Sequence, residues 1–249
     1  VAPSRGLGDV YKRQDIGRGG IFLQKKIELM MGILLIMAAL IGGKTLTNAV
    51  SGKISEQKEQ AIVMIDPGHG GFDPGKVGVD GLAEKDLNLA VAKKLQKILT
   101  KNGVHVVMSR EEDTALCEET APNKKIRDMK KRTELINHSK ASIAVSIHQN
   151  SYQTSDVKGA QVFYFTHSVE GKKAAEILQK HLKTVDETNR REAKPNDTYY
   201  ILKKTEIPTV IVEAGFLTNP EEAAKLQDEA YQEKIAQAVW EGLKEYLNL

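Results

Sequence analysis

One cysteine, Cys117, is all the chain contains, so no internal disulfide can staple the fold. That lack does not assign a cytosolic setting, because exported bacterial proteins also do without disulfides. An excess of one charge is missing too. The 36 Lys and Arg against 33 Asp and Glu leave +3, too little to draw nucleic acid, though compatible with a mild attraction to an anionic polymer. Long hydrophobic runs are absent. The longest, Leu29 to Gly43, has 15 residues, about 22 Å of helix at about 1.5 Å per residue, against a hydrocarbon core about 30 Å thick. Lys25 and Lys26 precede it. The pair reads as a signal-peptide h-region or a short membrane anchor with its lysines on the cytoplasmic side. No clear A-x-A site follows (Thr47 and Ala49 make a marginal one), which favours an uncleaved anchor. A buried core helix is the remaining alternative. Either of the first two readings puts the rest of the chain outside the cytoplasmic membrane. An initial Met is lacking, and "VAPSRGLGDVYKRQ" has neither helical nor strand period. Residues 1–14 therefore read as non-native, adapter-like sequence, with the native start upstream or at Met30 or Met31. Internal repeats are also missing.

What is there fits one α/β domain with an N-terminal appendage: 249 residues, 28% charged and 41% hydrophobic. Residues 15–50 hold the basic and hydrophobic segment, 51–60 a polar linker, and 61–249 the folded domain. "AIVMI", "VHVVMSR", "ASIAVSI", "GAQVFYF" and "PTVIV" read as strands, several buried on both faces. Helical spacing joins Leu87, Val91, Leu95 and Ile98, ending at Gly103, and joins Ile126, Met129, Thr133 and Ile136 on one face of a second helix. "SVEGKKAAEILQKHLKTV", "NPEEAAKLQ" and "YQEKIAQAVWEGLKEYL" are further helices. This alternation predicts a twisted, mostly parallel sheet with helices on both faces.

In open sheets of this kind ligands bind beyond the carboxyl ends of the strands. His69 follows "IVMIDPG", His148 follows "IAVSI", Glu213 follows "TVIV", and Glu84 opens the helix after the first strand. The topology brings all four to one edge. Two His and one carboxylate with an open fourth position form a catalytic zinc set, and His69, Glu84 and His148 fit it. Zinc there would acidify a water and polarise a carbonyl. Glu213, with an apolar run on one side, is suited to take and return a proton at a raised pKa. Gly68, Gly70 and Gly71 allow a tight turn and a close approach to substrate. Singly, each residue has an ordinary reading: His148 as a satisfied structural histidine, His69 as a turn residue, Glu84 as a helix N-terminal charge. Glu213 resists one, because a buried carboxylate is costly unless used or paired. His105, His138, His167, His181 and Cys117 look incidental. "GGFDPGKV" mimics a phosphate loop, but Val77 stands where a Ser or Thr is required and Pro74 removes a backbone N–H, which argues against nucleotide binding.

At these residues the chain resembles the zinc-dependent N-acetylmuramoyl-L-alanine amidases of the type-3 class. The blocks are "IDPGHGGFDPG", "EKDLNLAVAKKL", Ser109–Arg110, "KRTELINHSKASIAVSIHQNS", "GAQVFYF" and "PTVIVEAGFLTNPEEA", in family order from about Ile62 to the C-terminus. The resemblance implies His69, Glu84 and His148 as ligands of one zinc ion and Glu213 as the catalytic carboxylate. It implies hydrolysis of the amide between N-acetylmuramic acid and L-Ala in peptidoglycan. Arg132 and Asn150 match positions near the cleft, Arg132 as a fold support or substrate contact and Asn150 as a substrate contact. No inserted autoinhibitory helix is visible. "LCEETAPNKKIRDMKKRTELINHS" and the stretch from "NRREAKPNDTYYILKK" onward look like the sporulation and germination-specific cortex amidases. That likeness implies spore-cortex remodelling in the space around the forespore, with an accessory lipoprotein as partner. Two other readings stay open: a zinc hydrolase of the same fold acting on another wall amide, and a non-catalytic wall-binding protein.

Overall fold

The computed structural model describes residues 23, 25–38, 61–78 and 81–249. The chain divides into two units, Val1–Glu59 and Gln60–Leu249. In the first, residues 25–38 are helical, with Met30, Leu34 and Leu35 exposed. Among the described residues no helix is long and apolar enough to cross a membrane. The end of the apolar run, 39–43, the adapter-like stretch 1–14 and the linker 51–60 lie outside the described residues.

The second unit is built on one sheet. Its strands, among the described residues, are β1 (Ile62–Pro67), β2 (His105–Met108), β3 (Ile143–Asn150), β4 (Gln161–Phe165), β5 (Lys194–Asn196) and β6 (Thr209–Phe216), in the spatial order β2-β1-β3-β6-β4-β5. Every neighbouring pair is parallel except β4 with β6. The helices are α1 (Glu84–Lys101), α2 (Lys124–His138), α3 (Val169–Leu182), α4 (Tyr200–Lys204), α5 (Pro220–Gln227) and α6 (Glu229–Leu247). The mostly parallel sheet, covered on both faces, is as the alternation predicts.

Successive residues of a strand point to opposite faces, and the central strands use this fully. Val63, Ile65, Ile143, Val145, Ile147, Val210 and Val212 join α1, α3 and α6 in the larger core. Met64, Ala144 and Ile211 join Ile136 of α2 and Ile201 and Leu202 of α4 in a smaller one. Following that second face toward the carboxyl ends, Met64 leads to Asp66, Ala144 to Ser146 and His148, and Ile211 to Glu213. The face turns from apolar to polar along the strands, at the edge where such sheets hold ligands.

Three local expectations change. Glu213 and His148 lie inside their strands, because β6 runs on to Phe216 and β3 to Asn150. Helix α2 buries most of its expected face, with Thr133 and Ile136 buried and Met129 packed on the smaller core, but Ile126 is 57% exposed and Asp128 and Arg132 are buried. An interior ion cluster thus extends the buried side beyond the apolar stripe. Finally, β5 and α4 occupy a stretch that pattern reading leaves without elements. β5 is a three-residue edge strand containing Pro195, tolerated because an edge position need not donate to the ladder. α4 has five residues, too few to show a helical period.

Candidate active site

The site begins in the loop after β1. His69 has a φ of 61°, the left-handed region that few non-glycine residues occupy. A Cβ on Gly68 would fall 2.2 Å from the His148 ring, and one on Gly75 2.5 Å from Glu84 Oε2 and 2.7 Å from the His69 ring. The missing side chains at Gly68 and Gly75 are thus the spaces these three residues fill. For Gly68 this replaces the expected role in approaching substrate.

Helix α1 starts without a side-chain cap, its Ncap being Ala83. The carboxylate of its first residue, Glu84, is engaged instead at the site. Oε2 accepts from Lys76 N at 2.8 Å, and Oε1 from Gln149 N at 3.2 Å and Asn88 Nδ2 at 3.3 Å. His69 Nε2 is 3.3 Å from Glu84 Oε2, and His148 Nδ1 is 2.9 Å from Glu84 Oε1. Asp73 Oδ2 lies 2.8 Å from His69 Nδ1. Burial alone would lower the His69 pKa, but its hydrogen bonds to Asp73 and Glu84 prevail and raise it to about 9. Glu84 is buried, yet the two histidines hold its carboxyl well below the usual carboxylate range. The hydrogen bond from His69, then the one from Lys125, does the same for Asp73 against its partial burial.

Glu213 is the register partner of His148 across β3 and β6. It is 7% exposed. Its Oε2 is buried with no hydrogen-bond partner. Burial raises its pKa to about 7, with Glu84 adding to the rise and His148 and His69 opposing it. A cavity of about 530 Å³ joins these groups, lined also by Asn150, Lys125, Tyr199 and Tyr200. Asn150 reaches it just past a register shift between β3 and β6, where two residues of β3 oppose three of β6.

Beneath the cavity lies a cluster in which only Arg132 had an expected role. Asp66 is fully buried and accepts from Ser109 Oγ at 2.5 Å, Ser146 Oγ at 2.7 Å and Arg132 Nη1 at 2.7 Å. Burial acts to raise its pKa, but the Arg132 charge and the two hydroxyls overcome this and lower it. Arg132 also donates to Asp128 at 2.7 Å, to the Pro67 carbonyl at 2.8 Å, and to the His69 carbonyl. Its guanidinium is spent within the protein, holding the His69 loop, which matches the fold-support expectation for Arg132 and not the substrate contact. Arg110 holds the same loop through the Pro67 and Gly68 carbonyls, each at 3.0 Å. A polar residue interrupting a buried run, Asp66 after "IVMI" and Ser146 inside "IAVSI", was the available signal. Of the other four histidines, His138 meets the Glu134 carbonyl at 2.7 Å, His181 meets Glu245 at 2.7 Å, His167 lies against the Phe165 ring, and His105 is exposed at the start of β2.

Among the described residues, His69, Glu84 and His148 are the one group of His, Cys, Asp or Glu whose donors converge enough to hold a metal, all within 4.8 Å of one another. His69 Nε2 and His148 Nδ1 reach the two oxygens of Glu84, at 3.3 and 2.9 Å, so both rings converge on one carboxylate. Two imidazoles and a carboxylate are also the right chemistry. The residues fit zinc.

The sequence profile of the N-acetylmuramoyl-L-alanine amidases matches residues 63–245. The chain belongs to that family. Among similar amidases, the germination-specific N-acetylmuramoyl-L-alanine amidase of Bacillus subtilis (strain 168) is 38% identical over 188 residues, which span 74% of this chain and 79% of that one. The CwlD amidase from Clostridioides difficile, solved in complex with the GerS lipoprotein, is 42% identical with a TM-score of 0.73, covering 76% of this amidase and 98% of that chain. A second amidase structure, from Clostridium difficile 630, is 33% identical with a TM-score of 0.68, covering 76% and 97%.

Proposed function

We propose that this amidase hydrolyses the amide joining N-acetylmuramic acid to L-Ala in peptidoglycan, using one zinc ion held by His69, Glu84 and His148, with Glu213 moving the proton. The observation that carries the assignment is Glu213: buried, unpartnered at Oε2, and the cross-strand neighbour of His148. Zinc, when bound, supplies a Lewis acid that polarises the scissile carbonyl and acidifies water. Glu213 Oε2 accepts the proton of the attacking water and delivers it to the departing L-Ala nitrogen. A carboxyl with a pKa near 7 can do both, since neither protonation state is strongly preferred at neutral pH. Asn150 and the tyrosines at the cavity wall contact the glycan or the stem peptide.

Spore-cortex peptidoglycan is the substrate proposed, on the strength of the germination-specific relative in B. subtilis. An accessory lipoprotein partner is proposed on the strength of the C. difficile amidase, whose structure includes one. Action at the outer face of the cytoplasmic membrane or in the wall, with attachment through the N-terminal segment, belongs to the same proposal.

The test uses the full chain and its Glu213→Gln variant. Zinc content is measured first. Purified peptidoglycan is then digested and the products identified by mass spectrometry. The expected result is zinc in both proteins and stem peptides with a free L-Ala amine from the unmutated chain. The variant should release them about 10²- to 10⁴-fold more slowly. Cleavage of another wall amide, or wall binding without release even when the lipoprotein is added, would contradict the proposal.

A further inference from the structure

We propose that Asp73 is a positioning residue that aims His69 at the metal, an inference that rests on the zinc reading above. Asp73 Oδ2 lies 2.8 Å from His69 Nδ1. An ionised carboxylate only accepts hydrogen bonds, so Nδ1 carries a proton and Nε2 is the nitrogen that can give a lone pair to a metal. Nε2 is the nitrogen that faces Glu84, at 3.3 Å from Oε2. A carboxylate behind a ligating imidazole fixes both the tautomer and the ring plane.

Asp73 is itself held in place. Its backbone exchanges hydrogen bonds with Gly70 at 3.0 and 3.1 Å, and its Oδ1 pairs with Lys125 Nζ of α2 at 2.9 Å. His69 to Asp73 is therefore a closed turn whose last side chain returns to the first. His148 is fixed by other means. Its Nδ1 meets Glu84 Oε1 at 2.9 Å, and Gly68 packs so closely that a Cβ would strike the ring. Of the two histidines, Asp73 touches His69 alone, while Glu84 and the packing of Gly68 hold His148. Exchanging the Asp73 charge should thus affect one ligand selectively.

The comparison residue is Asp113. It steadies the same loop, accepting from Gly71 N at 2.8 Å and pairing with Lys85 Nζ at 2.6 Å, without touching His69. Zinc affinity of the full chain, Asp73→Asn and Asp113→Asn is measured by competition with a chromophoric chelator, alongside the metal-free melting temperature of each. Asp73→Asn should weaken zinc about 10- to 100-fold, with Asp113→Asn unchanged and the two melting temperatures alike. Unchanged affinity in Asp73→Asn, or equal losses in both variants, would overturn the inference. A measurement on the unmutated chain needs no variant to fold. In the zinc-loaded protein, a long-range 1H–15N spectrum should show the His69 proton on Nδ1, and a proton on Nε2 would overturn it. Zinc absent from the unmutated chain removes the parent reading and this one with it. Zinc bound equally by the unmutated chain and Asp73→Asn removes this one alone.

Discussion

On one face of the sheet, Val63, Ile65, Val145, Ile147, Val210 and Val212 meet the apolar sides of α1, α3 and α6. On the other, one residue further along the same strands, stand Asp66, Ser146, His148 and Glu213, with Asp66 paired to the Arg132 that holds the His69 loop. The same backbone carries both, and only the alternation of side chains separates them. The first face stabilises: each fully buried Leu, Ile or Val there contributes about 1.5–3 kcal/mol. The second contributes little net stability, because the cost of desolvating Asp66, Asp128 and Arg132 offsets most of their attraction. What it gains is position. Arg132 spans Asp66, Asp128 and the carbonyls of Pro67 and His69, so the loop bearing the first histidine is tied to the strand beside the second.

The largest effect should come from breaking the polar face. Arg132→Ala leaves two buried carboxylates unpaired and should cost about 4 kcal/mol in urea unfolding, with zinc binding lost as the His69 loop is released. Leu95→Ala, in the fully buried apolar face, should cost about 3 kcal/mol. Yet it should leave the zinc affinity of the folded fraction unchanged, which chelator competition below the melting temperature would check. Ser146→Ala removes one of the hydroxyls on Asp66 and should cost about 1–2 kcal/mol. It should also move acid unfolding to higher pH. The sign follows from the lowered Asp66 pKa: the stability it confers is complete above the unfolded carboxyl value, about 3.9, and is lost as pH falls through the folded value. Raising the folded value shortens that protected range, which an acid titration followed by circular dichroism would detect. The smallest effect belongs outside both faces. Glu245→Gln, which breaks the exposed pairs with Lys180 and His181, should leave the melting temperature unchanged.

The apolar face was the legible one. Runs such as "IVMI" and "IAVSI" fix strand identity, and Leu87, Val91 and Leu95 fix the buried side of α1. His69, His148 and Glu213 stand out by their places after apolar runs and Glu84 by opening the next helix, and the structure brings all four to one cavity. Asp66 was passed over because a carboxylate at the end of a strand looks like the start of a turn. Its burial follows from partners 43, 66 and 80 residues away, which no local pattern reports. On α2 the Thr133 and Ile136 side was legible, but the burial of Asp128 was not, since a carboxylate on a helix looks solvated until the partners of Asp66 are in view. Tyr199 and Tyr200 reach the cavity through β5 and α4, elements too short to carry a period. The side chains that make the site were easier to find than those that hold it.

The division between the two faces is tested most directly by zinc affinity at matched stability. The full chain, Leu95→Ala and Arg132→Ala are compared by chelator competition, with urea added to the unmutated chain and to Leu95→Ala until all three sit equally far from unfolding. Wild-type affinity in Leu95→Ala, with loss of binding in Arg132→Ala, is the expected result. Equal affinities in the two variants would contradict it and make the polar cluster one more part of the core.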